Sequence, residues 1–310
     1  MPVLGPLSVT LEVPSLDEGV AFYTDAGFTA TRDGAVARFR CPGQDRDSII
    51  LIGDAPKKRL HHIALRADGL DEIAAATPIA GGTVVPAPDG QDAAGLWVRD
   101  PHGMLIHLVD CPCDSDLAVA SPFEINAPGR VVRKRRSAML PASSYPPVTP
   151  RRLGHILLFS PDVPRSVAFL VEALGMGLAD RAQEIIAFCC ARQDSDHHVV
   201  AFAKSPGVGF HHASFQVGDP DEVGRGGRAL ADKAGKGEWG FGRHTIGSNF
   251  FHYIQDPWGS WFEYYSDIDF IDDYALWSPS NYEMRDSLAS WGPAVPKDFV
   301  HNYEVAETLG

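Results

Sequence analysis

The sequence predicts an α+β protein made of two tandem domains, each built from paired βαβββ modules. Three observations predict this fold class: the length of 310 residues, a long internal repeat, and short apolar segments separated by many of the 30 Gly and 24 Pro. At ~150 residues per domain, the length corresponds to about two domains. A hydrophobic fraction of 45% with a charged fraction of 22% excludes disorder as the main state of the chain.

The internal repeat consists of three matches that occur in the same order in each half. Segments 4–7 (LGPL), 61–65 (HHIAL) and 100–103 (DPHG) match segments 153–156 (LGHI), 211–215 (HHASF) and 256–259 (DPWG), at offsets of 149, 150 and 156 residues. Nearly constant offsets predict two homologous domains rather than chance similarity. We therefore expect an N-terminal domain over 1–110, a linker over 111–150, a C-terminal domain over 151–267, and a tail over 268–310 that packs on the second domain.

The second repeat shows the order of the elements most clearly. Asp162 and the Pro164 that follows it predict the start of a helix, which Gly175 and Gly177 end after about Leu174. Apolar alternation and turn residues predict the remaining elements. We expect strands over 154–160, near 184–191 and 197–203, over 210–217, and near 249–255 and 260–265, with a second helix over about 219–234. The glycine-rich segment 224–227 falls inside that helix, which disfavours a phosphate-binding role.

Charge and cysteine content exclude several classes of function. The net charge of −13 disfavours nucleic acids and anionic membranes as partners. The exception is a basic run, interpreted as a solvated linker, that contains Arg130, Arg133, Lys134, Arg135 and Arg136. No apolar run approaches the ~20 residues of a membrane helix, and no secretory signal is visible. The five cysteines are not spaced as a zinc site or a disulfide framework, which favours the reducing cytoplasm.

Comparison of the two repeats identifies a candidate metal site in the second domain only. His155, His212 and Glu263 occur on three apolar segments, and a buried carboxylate there is unfavourable unless it is paired or binds a cation. Two histidines and one carboxylate from three strands form the facial triad of non-haem Fe(II) sites, which leaves positions open for ligands. The matching positions of the first domain are Pro6, His62 and His107. Because proline cannot ligate a metal, we expect the first domain to be empty and its two histidines to be structural.

Four motifs resemble those of the type I extradiol catechol dioxygenases of the vicinal oxygen chelate superfamily. They are LGHILLFSPDV, FHHASFQV, GRHTIGSNFFHYIQDPWG and WFEYYSD, and with the duplicated domains the resemblance covers most of the chain. It implies a glyoxalase-like fold, iron in the C-terminal domain alone, and cleavage of a catechol by O2 next to the vicinal diol. It also implies His155, His212 and Glu263 as metal ligands, with His212 preferred over His211, and assembly as a homodimer or homotetramer.

The same resemblance implies three catalytic residues near the metal. His198 resembles the family's acid–base histidine, and we expect the adjacent His197 to face the other way in an extended segment. His244 resembles the histidine that hydrogen-bonds the substrate oxygen, and Tyr253 resembles the phenol that bonds the catecholate. Each residue type is suited to holding or moving a proton near neutral pH.

The sequence constrains the identity of the substrate and of the metal less strongly than it constrains the ligand residues. Trp239 precedes His244 where some relatives carry an arginine, and Leu157 replaces a polar side chain, so we expect a hydrophobic catechol. Arg243 and Arg285 are further candidates for substrate contacts. The alternatives are a carboxylated catechol, a metal isomerase or thiol transferase of the same superfamily, or a non-catalytic ligand-sequestering protein. Fe(II) is the expected metal, with Mn(II) as the alternative because both suit nitrogen and oxygen ligands.

Overall fold

The first half of the chain forms one mixed sheet with two helices. The computed structural model describes residues 3–112, 126, 131, 133 and 141–305. The first half contains β1 (Val3–Glu12), α1 (Leu16–Asp25), β2 (Thr29–Asp33), β3 (Val36–Arg40), β4 (Asp47–Ile52), β5 (Arg59–Ala67), α2 (Leu70–Ile79), β6 (Thr83–Val85), β7 (Leu96–Arg99) and β8 (Leu105–Val109). The strand order is β2-β3-β4-β1-β5-β8-β7-β6, so two βαβββ modules meet where β1 pairs with β5.

The second half repeats this arrangement. It contains β9 (Arg152–Ser160), α3 (Val163–Glu172), β10 (Gly177–Ala182), β11 (Ile186–Cys190), β12 (Gln193–Asp196), β13 (Val200–Lys204), β14 (Gly209–Gln216), α4 (Pro220–Ala234), β15 (Glu238–Arg243), β16 (Phe250–Gln255) and β17 (Trp261–Ser266). The main sheet has the order β15-β16-β17-β14-β9-β13-β11-β10-β19, where β19 comes from the tail. The predicted fold class of paired βαβββ modules is therefore confirmed.

The tail returns to the second sheet and also contacts the first half. Its elements are β18 (Phe270–Asp273), β19 (Asn281–Tyr282) and α5 (Met284–Ser287), with β18 paired to β12 and β19 paired to β10. Near the end of the described chain, the carboxylate of Glu304 accepts hydrogen bonds from Lys58 Nζ at 2.7 Å and from the backbone N–H of Leu60 and Phe210. This buried pair holds the last described residues against both halves.

Local chemistry explains the two helices of the second half. The side chains of Asp162 and Asp219 accept from the backbone N–H groups of Arg165 and Glu222, so each acts as an N-cap. Helix α4 ends at Gly235, whose φ of 60° is left-handed. Both predicted helices are confirmed to within two residues at each end.

The sequence patterns do not predict every strand of the second half. Strands β10, β12 and β15 contain Gly177, Asp194 and Gly240, and these residues interrupt the apolar alternation that marks the other strands. The predicted linker lies largely outside the described residues, as does its basic run apart from Arg133.

The two sheets share one apolar core. Phe28 of the first half packs edge-on against Phe215 with ring centroids 4.8 Å apart, and Tyr264 donates a hydrogen bond to the carbonyl of Ala26 at 2.7 Å. The backbone N–H of Val3 bonds to the carbonyl of Leu174. Aromatic contacts of this kind bury large apolar areas, so each half stabilises the other. Within the described residues, the structure contains no helix that is long and apolar enough to span a membrane.

Candidate metal centre and active site

Three neighbouring strands bring the predicted metal ligands together. Strand β14 lies between β9 and β17, and Ser214 is opposite both His155 and Glu263 in the register. His212 lies two residues before Ser214 and therefore on the same face of the sheet. Because the serine between them is small, the side chains of His155 and Glu263 meet above it. One ligand atom from each of His155, His212 and Glu263 lies within 4.8 Å of the others.

Glu263 is a fully buried carboxylate surrounded by hydrogen-bond donors. Its Oε2 lies 3.1 Å from His155 Nε2 and 3.6 Å from His212 Nε2, and it accepts a short hydrogen bond from Ser214. Asn249 Nδ2 donates to Oε1 at 3.2 Å. Burial alone would raise the pKa of Glu263, but hydrogen bonds with His155 and His244 lower it well below the usual range. The carboxylate is therefore kept in the ionised form that a metal requires.

The histidines of the triad suit a metal better than a network of hydrogen bonds. His212 Nε2, which lies 3.6 Å from Glu263 Oε2, is buried without a hydrogen-bond partner. Burial, and to a smaller extent electrostatic repulsion from the neighbouring His211, lowers the pKa of His212 well below its usual value. The ring is therefore neutral. A neutral imidazole with a free nitrogen beside an ionised carboxylate is a donor set for a divalent cation, and an orphaned nitrogen is otherwise unfavourable. The residues present fit a divalent metal.

A β-bulge explains why two adjacent histidines lie at the same site. In the pairing of β14 with β9, Phe210 is opposite Leu158 and His212 is opposite Leu157, which leaves His211 as an extra residue. The Nδ1 atoms of His211 and His212 are 2.6 Å apart, and both residues line the cavity above the triad. The repeat carries the same feature, because Leu60 and His62 pair with Leu11 and Thr10.

His244 and Tyr253 form a hydrogen-bonded pair beside the triad. His244 Nδ1 lies 2.5 Å from the carbonyl oxygen of Leu288, so this nitrogen is a donor. The hydroxyl of Tyr253 is hydrogen-bonded to His244 Nε2 at 2.9 Å and also interacts with the carboxylate of Glu263. Burial, together with the charge of Glu263, raises the pKa of Tyr253 well above its usual value. Tyr253 is accordingly a neutral phenol within reach of a ligand at the metal site.

His198 lies against the triad from the opposite side. Its ring is 4.2 Å from the ring of His155, centroid to centroid, and it lines the same cavity. Burial, then the charge of His155, lowers the pKa of His198 well below its usual value, so the ring is neutral and able to accept a proton. The expectation for His197 needs correction: it lies in the turn between β12 and β13, and its Nδ1 is 3.0 Å from Nδ1 of His198.

The walls of the cavity are apolar. Beyond the histidines and Tyr253, the cavity is lined by Leu157, Ile186, Phe188, Ala203, Ile246, Ser287, Leu288, Phe299 and Val300. Four of these come from the tail, which therefore forms one wall of the site. Only Leu157 of this set is singled out by the sequence. The apolar ones are not recognised because they resemble ordinary core residues, and no sequence pattern singles out Ser287.

The three predicted substrate contacts do not lie among these cavity residues. Trp239 is buried one layer behind, with its ring stacked on that of Tyr253 at 5.4 Å and its indole N–H bonded to the Pro293 carbonyl. Arg243 bonds to the carbonyl and hydroxyl oxygens of Ser248 and lies over the ring of Phe250. The side chain of Arg285 is 84% exposed. The structure thus brings Trp239 to the site indirectly, through its ring contacts with Tyr253, His244 and Phe299.

The matching region of the first half is filled by its own side chains. Trp97 takes the register position of Tyr253, and its ring stacks on His107 with centroids 4.1 Å apart. His107 is also bonded to the Ala94 carbonyl. His62 pairs with the hydroxyl of Thr10, and burial lowers the pKa of His62 to about 3.

The position equivalent to His155 needs correction. Ser8 and His155 each lie seven residues before the N-cap of the following helix, and Ser8 is opposite Ala64 as His155 is opposite Ser214. The equivalent residue is therefore Ser8 rather than Pro6. Aligning the two LG dipeptides places the first half two residues out of register with the second. The reason is that β1 is irregular between Pro6 and Ser8.

Comparisons with known proteins agree with this arrangement. Residues 152–264 match the family model described as the Glyoxalase/Bleomycin resistance protein/Dioxygenase superfamily. The chain is 37% identical over 299 residues to metapyrocatechase 2 of Cupriavidus necator, an alignment that covers 95% of this chain and 90% of that protein.

Solved structures show the same fold. The Mn(II)-bound glyoxalase of Novosphingobium aromaticivorans is 25% identical with a TM-score of 0.72, over 94% of this chain and 91% of that chain. The 2,2',3-trihydroxybiphenyl 1,2-dioxygenase of Sphingomonas wittichii strain RW1 is 23% identical with a TM-score of 0.71, over 95% of this chain and all of that chain.

Proposed function

The chain belongs to the extradiol ring-cleaving dioxygenases of the vicinal oxygen chelate superfamily, and we propose that it opens a hydrophobic catechol with O2 at an Fe(II) centre held by His155, His212 and Glu263. The observation that carries this proposal is the convergence of three ligand atoms within 4.8 Å at a fully buried carboxylate. Three protein ligands on one side of a metal leave positions open for a substrate.

The metal supplies the chemistry that the side chains lack. A bound Fe(II) provides a redox-active centre for O2 and a positive charge that favours the ionised diol. The protein then has to orient the catechol and manage its protons. Mn(II) is the second candidate, and the solved glyoxalase that this chain resembles is described as Mn(II)-bound.

Three side chains are positioned for the proton transfers. Tyr253 is a neutral phenol whose hydroxyl is already bonded to His244, so this pair can hold one oxygen of the substrate in a defined place. His198 lies across the triad as a neutral imidazole and can take a proton from the substrate and return it when the ring opens. We assign these roles to His198, His244 and Tyr253.

The lining of the cavity favours an uncharged aromatic substrate. Leu157, Ile186 and Phe188 line the site together with Phe299 and Val300 of the tail. Among the described residues that line it, none is an arginine or a lysine. A carboxylate would therefore lose its hydration without gaining a cationic partner. This argues against the carboxylated catechols, whereas an alkyl or aryl substituent would gain apolar contacts.

The first experiment separates the metal site from general stability. Glu263→Gln keeps the size of the side chain but removes the negative charge, so we expect loss of bound iron and of ring opening. His107→Gln is the matched control, because His107 occupies the equivalent register position in the first half. Iron content is measured by elemental analysis, and ring opening by the yellow colour that forms when catechol and air are added. A Glu263→Gln variant that keeps iron and activity would refute the site.

The second experiment tests the substrate class. We expect kcat/KM to be higher for 3-alkylcatechols and 2,3-dihydroxybiphenyl than for carboxylated catechols, by at least about tenfold, because a charge in the apolar cavity loses hydration. The measurement is oxygen uptake at matched substrate concentrations. Preference for the carboxylated compounds would overturn this assignment. Tight binding of catechols without any product would instead favour a sequestering protein.

A further inference from the structure

A second histidine and an aspartate lie behind the proposed acid–base residue. Asp180, on β10, is 5% exposed, and its Oδ2 is 3.0 Å from Nε2 of His197. His197 is 1% exposed, and its Nδ1 is 3.0 Å from Nδ1 of His198. The three side chains therefore form a continuous hydrogen-bonded series, Asp180–His197–His198, that ends in a ring lining the cavity. The proposed roles of the metal site do not require the first two members of this series.

Both inner members of the series are held in place. The other oxygen of Asp180 accepts a hydrogen bond from the backbone N–H of Ser280 at 2.6 Å. The backbone N–H of His197 bonds to the carbonyl of Asp269 at 2.7 Å, and its ring packs edge-on against Trp277 with centroids 5.5 Å apart. All three contacts come from residues that follow β17. The tail thus fixes the aspartate and the histidine relative to each other.

The chemistry of the groups decides which atoms carry protons. An ionised carboxylate only accepts hydrogen bonds, so His197 Nε2 must be the protonated nitrogen that donates to Asp180. In a neutral imidazole the other nitrogen is then an acceptor. With His197 as the neutral ring its Nδ1 accepts, and the hydrogen bond to His198 then places a proton on His198 Nδ1. That leaves Nε2 of His198 with a free lone pair.

We propose that Asp180 and His197 are positioning residues that fix the tautomer and the orientation of His198, so that its Nε2 is the proton acceptor at the reaction site. This inference rests on the proposed function, in which His198 takes a proton from the substrate. Buried partners of this kind act by holding a neighbouring imidazole in one tautomer, and their removal lowers activity while the ring itself remains.

The test compares two substitutions at one position. His197→Leu removes the acceptor, whereas His197→Asn keeps an amide oxygen close to the place of Nδ1. With [15N]histidine-labelled full-length protein loaded with diamagnetic Zn(II), ring nitrogen shifts report the tautomer, and His198→Asn assigns the His198 signals. We expect the Nδ1–H form in the wild type and in His197→Asn, and a mixture of tautomers in His197→Leu. Asp180→Asn should produce a partial mixture.

Kinetics provides the second measurement. With iron bound, we expect His197→Leu to lower kcat by roughly 10- to 100-fold with KM and iron content within about twofold of the wild type, and His197→Asn to restore most of the loss. The inference is wrong if the wild-type His198 is in the Nε2–H form, or if His197→Leu changes neither tautomer nor kcat. If His197→Leu does not fold, Asp180→Asn decides by the same shifts. Wild-type protein with the Nδ1–H form but no ring cleavage would contradict the proposed function and leave standing only the part of the inference that assigns the tautomer of His198.

Discussion

At the scale of single residues, the same turn is built twice, and burial raises the pKa of its carboxylate in both copies, Asp100 and Asp256. In each half an aspartate accepts hydrogen bonds from two backbone N–H groups: Asp100 from His102 and Met104, and Asp256 from Trp258 and Ser260. Burial raises the pKa of Asp256 to about 6, against the opposing charge of Lys58 and these hydrogen bonds. Its other oxygen is buried without a partner. This side chain is therefore a source of pH-dependent stability.

The raised pKa of Asp256 predicts the sign of that dependence. Between about pH 4 and pH 6 the folded protein holds a proton on Asp256 that the unfolded chain releases, so stability falls as the pH rises through this window. Asp256→Asn removes the titration, and we expect the wild type to lose up to about 3 kcal/mol relative to the variant over this range. Urea unfolding at a series of pH values measures the difference.

The control for this prediction is an exposed aspartate. The side chain of Asp17 is 85% exposed, and Asp17→Asn should follow the wild-type pH profile closely. An Asp256→Asn variant whose stability runs parallel to the wild type between pH 4 and pH 7 would contradict the assignment.

At the scale of elements, α4 approaches the sheet so closely that its glycines become necessary. A Cβ on Gly227 would lie 2.1 Å from His252 Cγ, and a Cβ on Gly226 would lie 3.0 Å from Val148. Gly224, on the same helix, faces open space apart from one Phe241 atom at 3.9 Å. Glycine weakens a helix relative to alanine, so two of the three glycines are explained by packing rather than by helix stability.

This contrast predicts opposite effects of the same substitution. Gly227→Ala should destabilise the protein by about 1–3 kcal/mol, because the methyl group overlaps the ring of His252. Gly224→Ala should stabilise it by about 0.5–1 kcal/mol, because it lowers the flexibility of the unfolded chain without a clash. The two variants are compared by urea unfolding at one pH. Equal effects at the two positions would show that α4 does not contact β16 as described.

At the scale of the whole molecule, the half without a triad contributes directly to the support of the candidate metal site. Phe28 contacts Phe215 and Phe262, which belong to β14 and β17, the strands that also carry His212 and Glu263. The aromatic rings lie on the opposite face of these strands from the triad, since adjacent residues alternate. The first half therefore supports the strands that position two of the three candidate ligands.

This packing predicts that the two halves unfold together. Phe28→Ala should lower the free energy of unfolding by about 3–5 kcal/mol through loss of buried area and a cavity at the boundary. We expect a single thermal transition at a lower temperature than that of the wild type. Calorimetry and the loss of bound metal both measure this transition. Ile79→Ala is the control, because Ile79 is 87% exposed in the same half and should leave the transition unchanged. Two separate transitions would show that the halves are independent.

Much of the fold could be predicted because it depends on local and repeated patterns. The N-caps Asp162 and Asp219 and the strand containing His155 follow rules that act over a few residues. The strand β10 and the bulge at His211 could not be predicted, because glycine and a register shift break those patterns. The irregularity of β1 likewise explains why sequence comparison matches Pro6, rather than Ser8, to His155.

The duplication, the fold class and the three candidate ligands can be read from the sequence, because they depend on a repeated order of segments and on two histidines and a carboxylate set in apolar segments. The contacts that join these residues are visible only in the tertiary structure. It placed Ser214 between His155 and Glu263, put the tail across the cavity, and joined Asp180 through His197 to His198. These are contacts between residues distant in the chain, and distances of about 3 Å between such residues depend on how the sheets and the tail pack.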